Sequence, residues 1–151
     1  MQHLRFREAA VSDLPDVENL SRQWVRENNA WGLVPTPTAF LHERIGPCFH
    51  VAQAPEGVIG YAFGRIYLND ERAVFPASAL VFELEEMYVV PNLRRRGIGG
   101  ALLDRVLAAA RLQGVRHFLV CSAARPIDPV VQFYRSRGFE PWSVQMFRSD
   151  D

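Results

Sequence analysis

The segment that most constrains this chain is a glycine-rich turn between a strand-like run and a helical run. The turn reads Arg94-Arg95-Arg96-Gly97-Ile98-Gly99-Gly100. It follows the apolar run 87–90, and helical periodicity begins at Ile98. Such a turn presents several backbone N–H groups at the positive end of a helix dipole. With three guanidinium groups that stay charged, it predicts an anion cradle suited to a pyrophosphate; a capped loop with solvated arginines is the alternative.

The spacing differs from that of the common nucleotide loops. A P-loop needs a lysine followed by serine or threonine after its second glycine, and here Ala101 and Leu102 follow Gly100. A dinucleotide fingerprint needs its third glycine three residues after the second, whereas Gly100 directly follows Gly99. Neither class of nucleotide site is predicted.

Composition sets the remaining limits. The chain has 151 residues, 48% of them apolar, so we expect one domain over residues 1–151 with a substantial core. Seventeen basic and seventeen acidic residues balance, and no segment has the length of a membrane span, so neither nucleic acid nor membrane is an expected partner. Cys48 and Cys121 are predicted to be buried free thiols of a cytoplasmic protein. The four histidines show no ligand spacing, so no metal is expected.

Hydrophobic periodicity and turn residues predict alternating strands and helices. Strands are expected at residues 4–7, 48–54, 58–68, 80–90, 115–122 and 139–148. Helices are expected from the cap Ser12, from the cap Thr38 to Ile45, and over 97–113 and 129–137. The strand-helix-strand order after residue 80 implies a parallel pair, and the arginine-glycine turn lies at the carboxyl end of its first strand.

Three blocks together resemble the Gcn5-related N-acetyltransferase (GNAT) superfamily. They are Leu84-x-x-Met87-Tyr88-Val89-x-Pro91, Arg94-x-x-Gly97-x-Gly99 and Phe133-Tyr134-x-x-x-Gly138-Phe139. The resemblance implies an α/β fold: a mixed, mostly antiparallel central sheet with a splayed parallel strand pair, flanked by about four helices. It also implies an acetyl-CoA-dependent enzyme that transfers an acetyl group to a primary amine by direct attack in a ternary complex.

The resemblance assigns the residues that would hold acetyl-CoA. The pantetheine arm would pair with strand backbone at Tyr88, Val89 and Val90. The pyrophosphate would receive backbone N–H groups from Arg95, Arg96, Gly97, Ile98, Gly99, Gly100 and Ala101. The side chains of Arg94 and Arg96 would meet the diphosphate or the ribose phosphate.

Three glutamates on the 80–90 strand are candidates for the base that takes the amine proton. Alternation along a strand places Glu83 and Glu85 on the face of Met87, and Glu86 on the opposite face with Leu84. The resemblance implies base positions eleven and nine residues before the loop motif, which are Glu83 and Glu85. The sequence does not choose between them, and a solvated strand edge is the alternative.

Other site residues follow from the same resemblance. Tyr134 would donate a proton to the leaving thiolate, although a half-buried packing role is the alternative. Trp31, in the loop that borders the acceptor in this fold, and Glu86 are the candidate substrate-binding residues. Only a dozen residues follow Phe139, so the closing hairpin is either reduced or supplied by strand pairing in a homodimer.

The acceptor is the largest unknown. Glutamates on the central strand favour a small cationic amine, aminoglycoside-like or a polyamine. A protein terminus or lysine as the acceptor is an alternative, and so is a catalytically idle domain that binds acyl-CoA and regulates.

Overall fold

A computed structural model describes residues 3–151 of the chain. The strands in that range are β1 (Arg5–Glu8), β2 (Phe49–Ala54), β3 (Gly57–Leu68), β4 (Leu80–Val89) and β5 (His117–Val120). The α-helices are α1 (Leu14–Arg26), α2 (Thr38–Arg44), α3 (Ile98–Leu112) and α4 (Asp128–Arg135). No helix among residues 3–151 has the length and apolar character needed to cross a membrane.

The strands form one sheet in the order β1-β2-β3-β4-β5. Neighbouring strands are antiparallel except β4 and β5, which are parallel. The apolar side of α3, with Leu102 and Leu103, packs on one face of the sheet, while Leu14 of α1 and Leu41 of α2 pack on the other. The predicted architecture is confirmed: a mixed, mostly antiparallel sheet with one parallel pair and flanking helices.

The two predicted helix caps are wrong. Asp13, rather than Ser12, is the residue directly before α1, and its carboxylate accepts the Ala10 N–H at 2.7 Å across the 3-10 turn at Val11–Asp13. Thr38 is the first residue of α2, and both its N–H and its hydroxyl donate to Glu18 of α1. A contact between two helices therefore fixes Thr38, and local sequence does not reveal such a contact.

A β-bulge interrupts the pairing of β4 with β3. Phe63 pairs with Glu86 and the next residue, Gly64, pairs with Leu84, so Glu85 is left without a partner on β3. A bulge of one extra residue resets the alternation of side chains along its strand. The side chains before and after the bulge therefore do not keep the strict alternation between faces that the sequence suggests.

The bulge overturns the predicted faces of the glutamates. Glu85 hydrogen-bonds to Arg44 of α2, whereas Met87 packs in the core beneath α3, so the two do not share a face. Glu86 accepts a hydrogen bond from Tyr61, whose ring belongs to the core under α1 and α2. Glu85 and Glu86, although adjacent, both project towards α1 and α2.

The parallel pair separates as predicted. β4 pairs with β5 from Val81 to Leu84, and β4 then continues to Val89 without β5 beside it. The predicted strand 115–122 is consequently shortened to four residues. Beyond Leu84, no strand within residues 3–151 pairs with the edge of β4 that faces β5.

The predicted last strand at 139–148 is wrong. Residues 140–151 contain neither helix nor strand, and Val144, Met146 and Phe147 are exposed. Alternating apolar residues favour a strand only where a neighbouring strand supplies hydrogen bonds, and no segment of residues 3–139 does so here. Cys121, predicted to be buried, is exposed, while Cys48 is buried as predicted.

Candidate active site

A cavity of about 1040 Å³ opens where β4 and β5 separate. Its walls come from the unpaired part of β4, the turn before α3, the segment after β5 and one side of α4. The loop after α1 closes the remaining side. We refer to this cavity as the cleft; it lies at the carboxyl ends of the parallel strands, as the topology predicts.

The arginine-glycine turn forms one end of the cleft. Gly97 precedes α3 in the left-handed conformation, with φ of 81°, which a glycine adopts without strain. The first N–H groups of a helix have no carbonyl one turn earlier to receive them, so those of Ile98, Gly99 and Gly100 are free to meet a ligand. The N–H of Ala101 instead donates to the Gly97 carbonyl at 3.0 Å. The turn therefore has the geometry of an anion cradle.

Most of the predicted cofactor residues come together here. Those that line the cleft are Tyr88, Val89, Arg94, Arg95, Gly97, Ile98, Gly99 and Gly100. Val90, Arg96 and Ala101 do not line it. The N–H of Val90 donates to the Ile59 carbonyl of β3 at 3.0 Å, so this group is already used within the sheet.

The guanidinium of Arg94 is held by the protein itself. It donates to the Val89 carbonyl at 2.8 Å and pairs with Glu27, at the end of α1, also at 2.8 Å. The Tyr88 hydroxyl donates to the same carboxylate at 2.6 Å. Glu27 therefore joins α1, β4 and the turn, and Arg94 is a fixed part of the cleft wall.

Arg137 adds a positive charge that was not among the predicted site residues. Its guanidinium lies over Gly100, so closely that a Cβ at Gly100 would fall 1.8 Å from it. Asp104, one turn further along α3, pairs with it at 3.1 Å. A cation beside the positive end of a helix is favourable when an anion lies between them. Arg137 thus strengthens the cradle on the side of α4.

Glu83 and Glu85, the predicted bases, are paired with arginines. Glu85 lines the cleft, but Arg44 binds its carboxylate through two nitrogens, at 2.6 and 3.0 Å. Glu83 does not line the cleft, and Arg65 and Arg72 approach it at 3.3 and 3.8 Å. A bidentate guanidinium favours the ionised carboxylate and occupies both of its oxygens. Arg44 therefore occupies the Glu85 carboxylate, and the Glu83 carboxylate faces Arg65 and Arg72.

Glu86 also lines the cleft, and its donors are uncharged. The Tyr61 hydroxyl donates to it at 2.8 Å, and the Thr36 hydroxyl donates to its other oxygen. Burial raises the pKa of Glu86 above the ordinary range, although these two hydrogen bonds oppose the shift. A carboxylate with a raised pKa is a better base near neutral pH.

Tyr134 projects from α4 into the cleft. Its ring makes edge-on contacts with Phe133 and Phe139, at centroid distances of 5.1 and 5.5 Å. Burial raises the pKa of its hydroxyl above the usual value for tyrosine. The hydroxyl therefore stays protonated at physiological pH and is able to donate.

The loop after α1 is bound to the segment after β5. The backbone N–H of Trp31 donates to the Ala123 carbonyl at 2.8 Å, and Ala30 forms an isolated β-bridge with Ala124. The Arg125 guanidinium lies 4.1 Å from the centre of the Trp31 ring. We call residues 29–31 with 123–125 the strap, and Trp31 within it lines the cleft.

The family follows from the sequence profile that matches. The profile of the acetyltransferase (GNAT) domain covers residues 46–141, which is well over half of the chain and includes the turn, β4 and Tyr134. The chain belongs to the GNAT acetyltransferase family. Among residues 3–151 of this GNAT enzyme, no three His, Cys, Asp or Glu side chains are grouped as a metal site would require.

Solved structures of other acetyltransferases share this fold. The aminoglycoside N-acetyltransferase AAC(6')-Iy, bound to the bisubstrate analogue CoA-S-monomethyl-acetylneamine, superimposes with a TM-score of 0.73 at 22% identity, covering 99% of each chain. A Trypanosoma brucei acetyltransferase gives 0.70 at 22% identity, over 97% of this chain and 99% of its own.

Glucosamine-6-phosphate N-acetyltransferase from Arabidopsis thaliana has a TM-score of 0.68 at 14% identity, over 99% of this chain and all of its own. A comparison with curated proteins gives no match. At these low sequence identities, the structural neighbours establish only the fold of this GNAT enzyme.

Several residues of the site lie outside the predicted set: Glu27, Thr36, Tyr61, Arg125 and Arg137. Arg137 had a signal, since it directly precedes Gly138 in a block that resembles the family. The other four contact the site from elements far away in sequence, so no local pattern marks them.

Proposed function

We propose that this GNAT enzyme transfers the acetyl group of acetyl-CoA to a primary amine by direct attack in a ternary complex. The observation that carries the proposal is one cleft that contains an anion cradle, the buried carboxylate Glu86 and the hydroxyl of Tyr134. These are the three functions that acyl transfer from a thioester to an amine needs: a cofactor site, a base and an acid.

Acetyl-CoA is the proposed cosubstrate, and the residues present fit it. The N–H groups at Gly97–Gly100 and the charges of Arg95 and Arg137 suit a pyrophosphate. The unpaired edge of β4 after Leu84 offers backbone groups to the amides of a pantetheine arm. The bisubstrate analogue bound to AAC(6')-Iy contains CoA, which supports the same ligand class here.

The proton of the attacking ammonium is assigned to Glu86. The carboxylate of Glu86 binds the ammonium while ionised and accepts its proton, directly or through water. Glu85 lies next to it but is held by Arg44, and Glu83 lies outside the cleft lining. In this proposal Glu83 and Glu85 form ion pairs with Arg65 and Arg44 near Glu86, and neither of them is the base.

Tyr134 is the proposed acid. Its hydroxyl lines the cleft and stays protonated, so it can donate to the sulfur that leaves. The aromatic neighbours Phe133 and Phe139 restrict its ring.

The proposed acceptor is a small cationic amine that binds in the part of the cleft lined by Glu86 and Trp31. The named substrates of two structural neighbours, an aminoglycoside and glucosamine-6-phosphate, are small amines and support this size class. A peptide terminus or lysine is the alternative acceptor.

We also propose that residues 1–151 form one domain that acts in the cytoplasm, and that the exposed tail after Phe139 pairs with a second copy in a homodimer.

A mass-spectrometric screen tests the proposed function. The protein is incubated with acetyl-CoA and a panel of small amines and peptides, and N-acetylated products are identified by mass. We expect wild-type protein to acetylate at least one amine. We expect Gly99→Glu, which places a carboxylate in the cradle, to lose most of that product. Arg116→Glu is the matched control, because it places a carboxylate on an exposed residue outside the cleft lining. Binding of CoA without any product would instead favour the catalytically idle domain.

A further inference from the structure

The acceptor side of the cleft contains fewer available negative charges than the sequence suggests. Arg44, Arg65 and Arg72 surround Glu83 and Glu85, and Arg44 also lies 3.9 Å from the exposed carboxylate of Glu43. All four arginine contacts with Glu83 and Glu85 lie within 4.0 Å. These two carboxylates are therefore already compensated by arginines and offer little net negative charge to a further cation.

Glu86 is different from its two neighbours on β4. Its hydrogen-bond donors are the hydroxyls of Tyr61 and Thr36, which bring no charge. Among the glutamates that line the cleft, it alone has no arginine at hydrogen-bonding distance within residues 3–151. The cleft therefore offers one carboxylate to one ammonium group.

The walls next to this carboxylate are apolar. Trp24, Trp31, Leu33 and Met87 all line the same cleft. Trp31 is part of the strap, where its backbone N–H is bound to Ala123. The ring of Phe147, in the tail at 140–151, contacts the Trp31 ring edge-on at a centroid distance of 5.2 Å. Burying the hydrocarbon or aromatic part of a ligand against such walls is favourable. A charged group of the ligand would find no partner there.

The strap adds one more positive charge at the cleft. The Arg125 guanidinium covers one face of Trp31 at 4.1 Å and donates to the Asn28 carbonyl at 3.1 Å. This face of the Trp31 ring is therefore not available for a cation–π contact with a second ammonium group.

We propose that the acceptor is a monoamine, with a single ammonium group bound by Glu86 and an apolar body held against Trp24, Trp31 and Leu33. The inference rests on the proposed function and narrows it. A polyamine or an aminosugar with several amines would place a second ammonium group in an apolar wall or beside Arg44 and Arg125. A buried cation without a partner is strongly unfavourable, so these compounds are disfavoured.

Two matched amines test this inference. Hexylamine and 1,6-diaminohexane have the same carbon chain and differ in the second ammonium group, and spermidine extends the series. With acetyl-CoA at saturation, we expect kcat/KM for hexylamine to exceed that for the diamine by about 10-fold or more, and spermidine to be poorer still. Equal or higher kcat/KM for the diamine or spermidine would overturn the inference while leaving amine acetylation established. No product with any amine would overturn the proposed function itself.

A variant tests the electrostatic cause. Arg44→Met frees the Glu85 carboxylate at the cleft, so the preference for hexylamine over the diamine should shrink at least 3-fold. Arg65→Met, at a more exposed arginine of the same group, should act in the same direction if the Arg44 variant folds poorly. Arg116→Met, an exposed arginine before β5, is the matched control and should keep the wild-type ratio. A ratio unchanged in both test variants would contradict the electrostatic explanation.

Discussion

Glu86 is a carboxylate whose surroundings move its pKa in opposite directions. Burial raises the pKa because it disfavours the charged form, and the hydroxyls of Thr36 and Tyr61 lower it by donating to that form. The net shift is upward. A base is active when ionised, so activity should fall as pH drops through this raised pKa, above the value of about 4.3 for an ordinary glutamate.

Removing one of these donors should move the pH profile in a known direction. In Tyr61→Phe the ionised form of Glu86 loses a hydrogen bond, so its pKa rises further and the acidic limb of kcat/KM moves to higher pH. The measurement is the rate of amine acetylation across pH 5–9. Tyr67→Phe, on the same strand but outside the cleft lining, is the control and should leave the limb in place. A limb at the same pH in Tyr61→Phe would show that Glu86 does not control the rate.

Tyr134 allows an equally small change. Tyr134→Phe removes one hydroxyl and leaves the contacts with Phe133 and Phe139, so the fold should be kept. Without its acid, the thiolate leaves less readily, and we expect kcat to fall by about 10²-fold with little change in acetyl-CoA affinity. Steady-state kinetics and calorimetry measure the two quantities. A kcat within 2-fold of wild type would assign Tyr134 to packing alone.

At the scale of elements, the bulge in β4 sets the direction of Glu85 and Glu86. It requires a close approach of β3, since a Cβ on Gly64 would lie 2.1 Å from the Glu83 carbonyl oxygen and 2.6 Å from the Phe82 ring. Both are parts of the buried sheet and cannot move away as the end of a flexible side chain can. Gly64 is therefore needed for its small size.

Substitution of this glycine should destabilise the protein. We expect Gly64→Ala to lower the free energy of unfolding by about 2 kcal/mol or more, because the added methyl group overlaps backbone. Urea unfolding followed by circular dichroism measures the change. Gly99→Ala, where the added Cβ has room, should stay within about 0.5 kcal/mol of wild type. Equal stability of the two variants would mean that β3 and β4 tolerate a wider spacing at the bulge.

The whole molecule shows which features local sequence can predict. The order of elements and the turn before α3 follow from periodicity and glycine spacing, which are local properties. The splayed strand pair was implied by the resemblance to the GNAT superfamily. The cleft follows from them, because topology places ligands at the carboxyl ends of parallel strands.

Features that depend on distant partners were not predictable in this way. The bulge depends on how Gly64 of β3 meets β4, and a single extra residue placed Glu86 on the same face as Glu85 and Met87 on the other. The pairing of Glu85 with Arg44 joins residues 41 positions apart. The tail at 140–151 has the pattern of a strand but lacks a neighbour in residues 3–139. In each case, tertiary contact decides what the local pattern leaves open.

The most direct test of the account compares the three glutamates of β4 in one assay. Glu83→Gln, Glu85→Gln and Glu86→Gln are measured for acetyl transfer from acetyl-CoA to hexylamine, as kcat/KM against pH. We expect only Glu86→Gln to lose about 10²-fold and to lose its acidic limb, while Glu83→Gln and Glu85→Gln keep the limb and change less than 10-fold. A wild-type profile in Glu86→Gln, or loss of the limb in Glu83→Gln or Glu85→Gln instead, would contradict the assignment of Glu86 as the base.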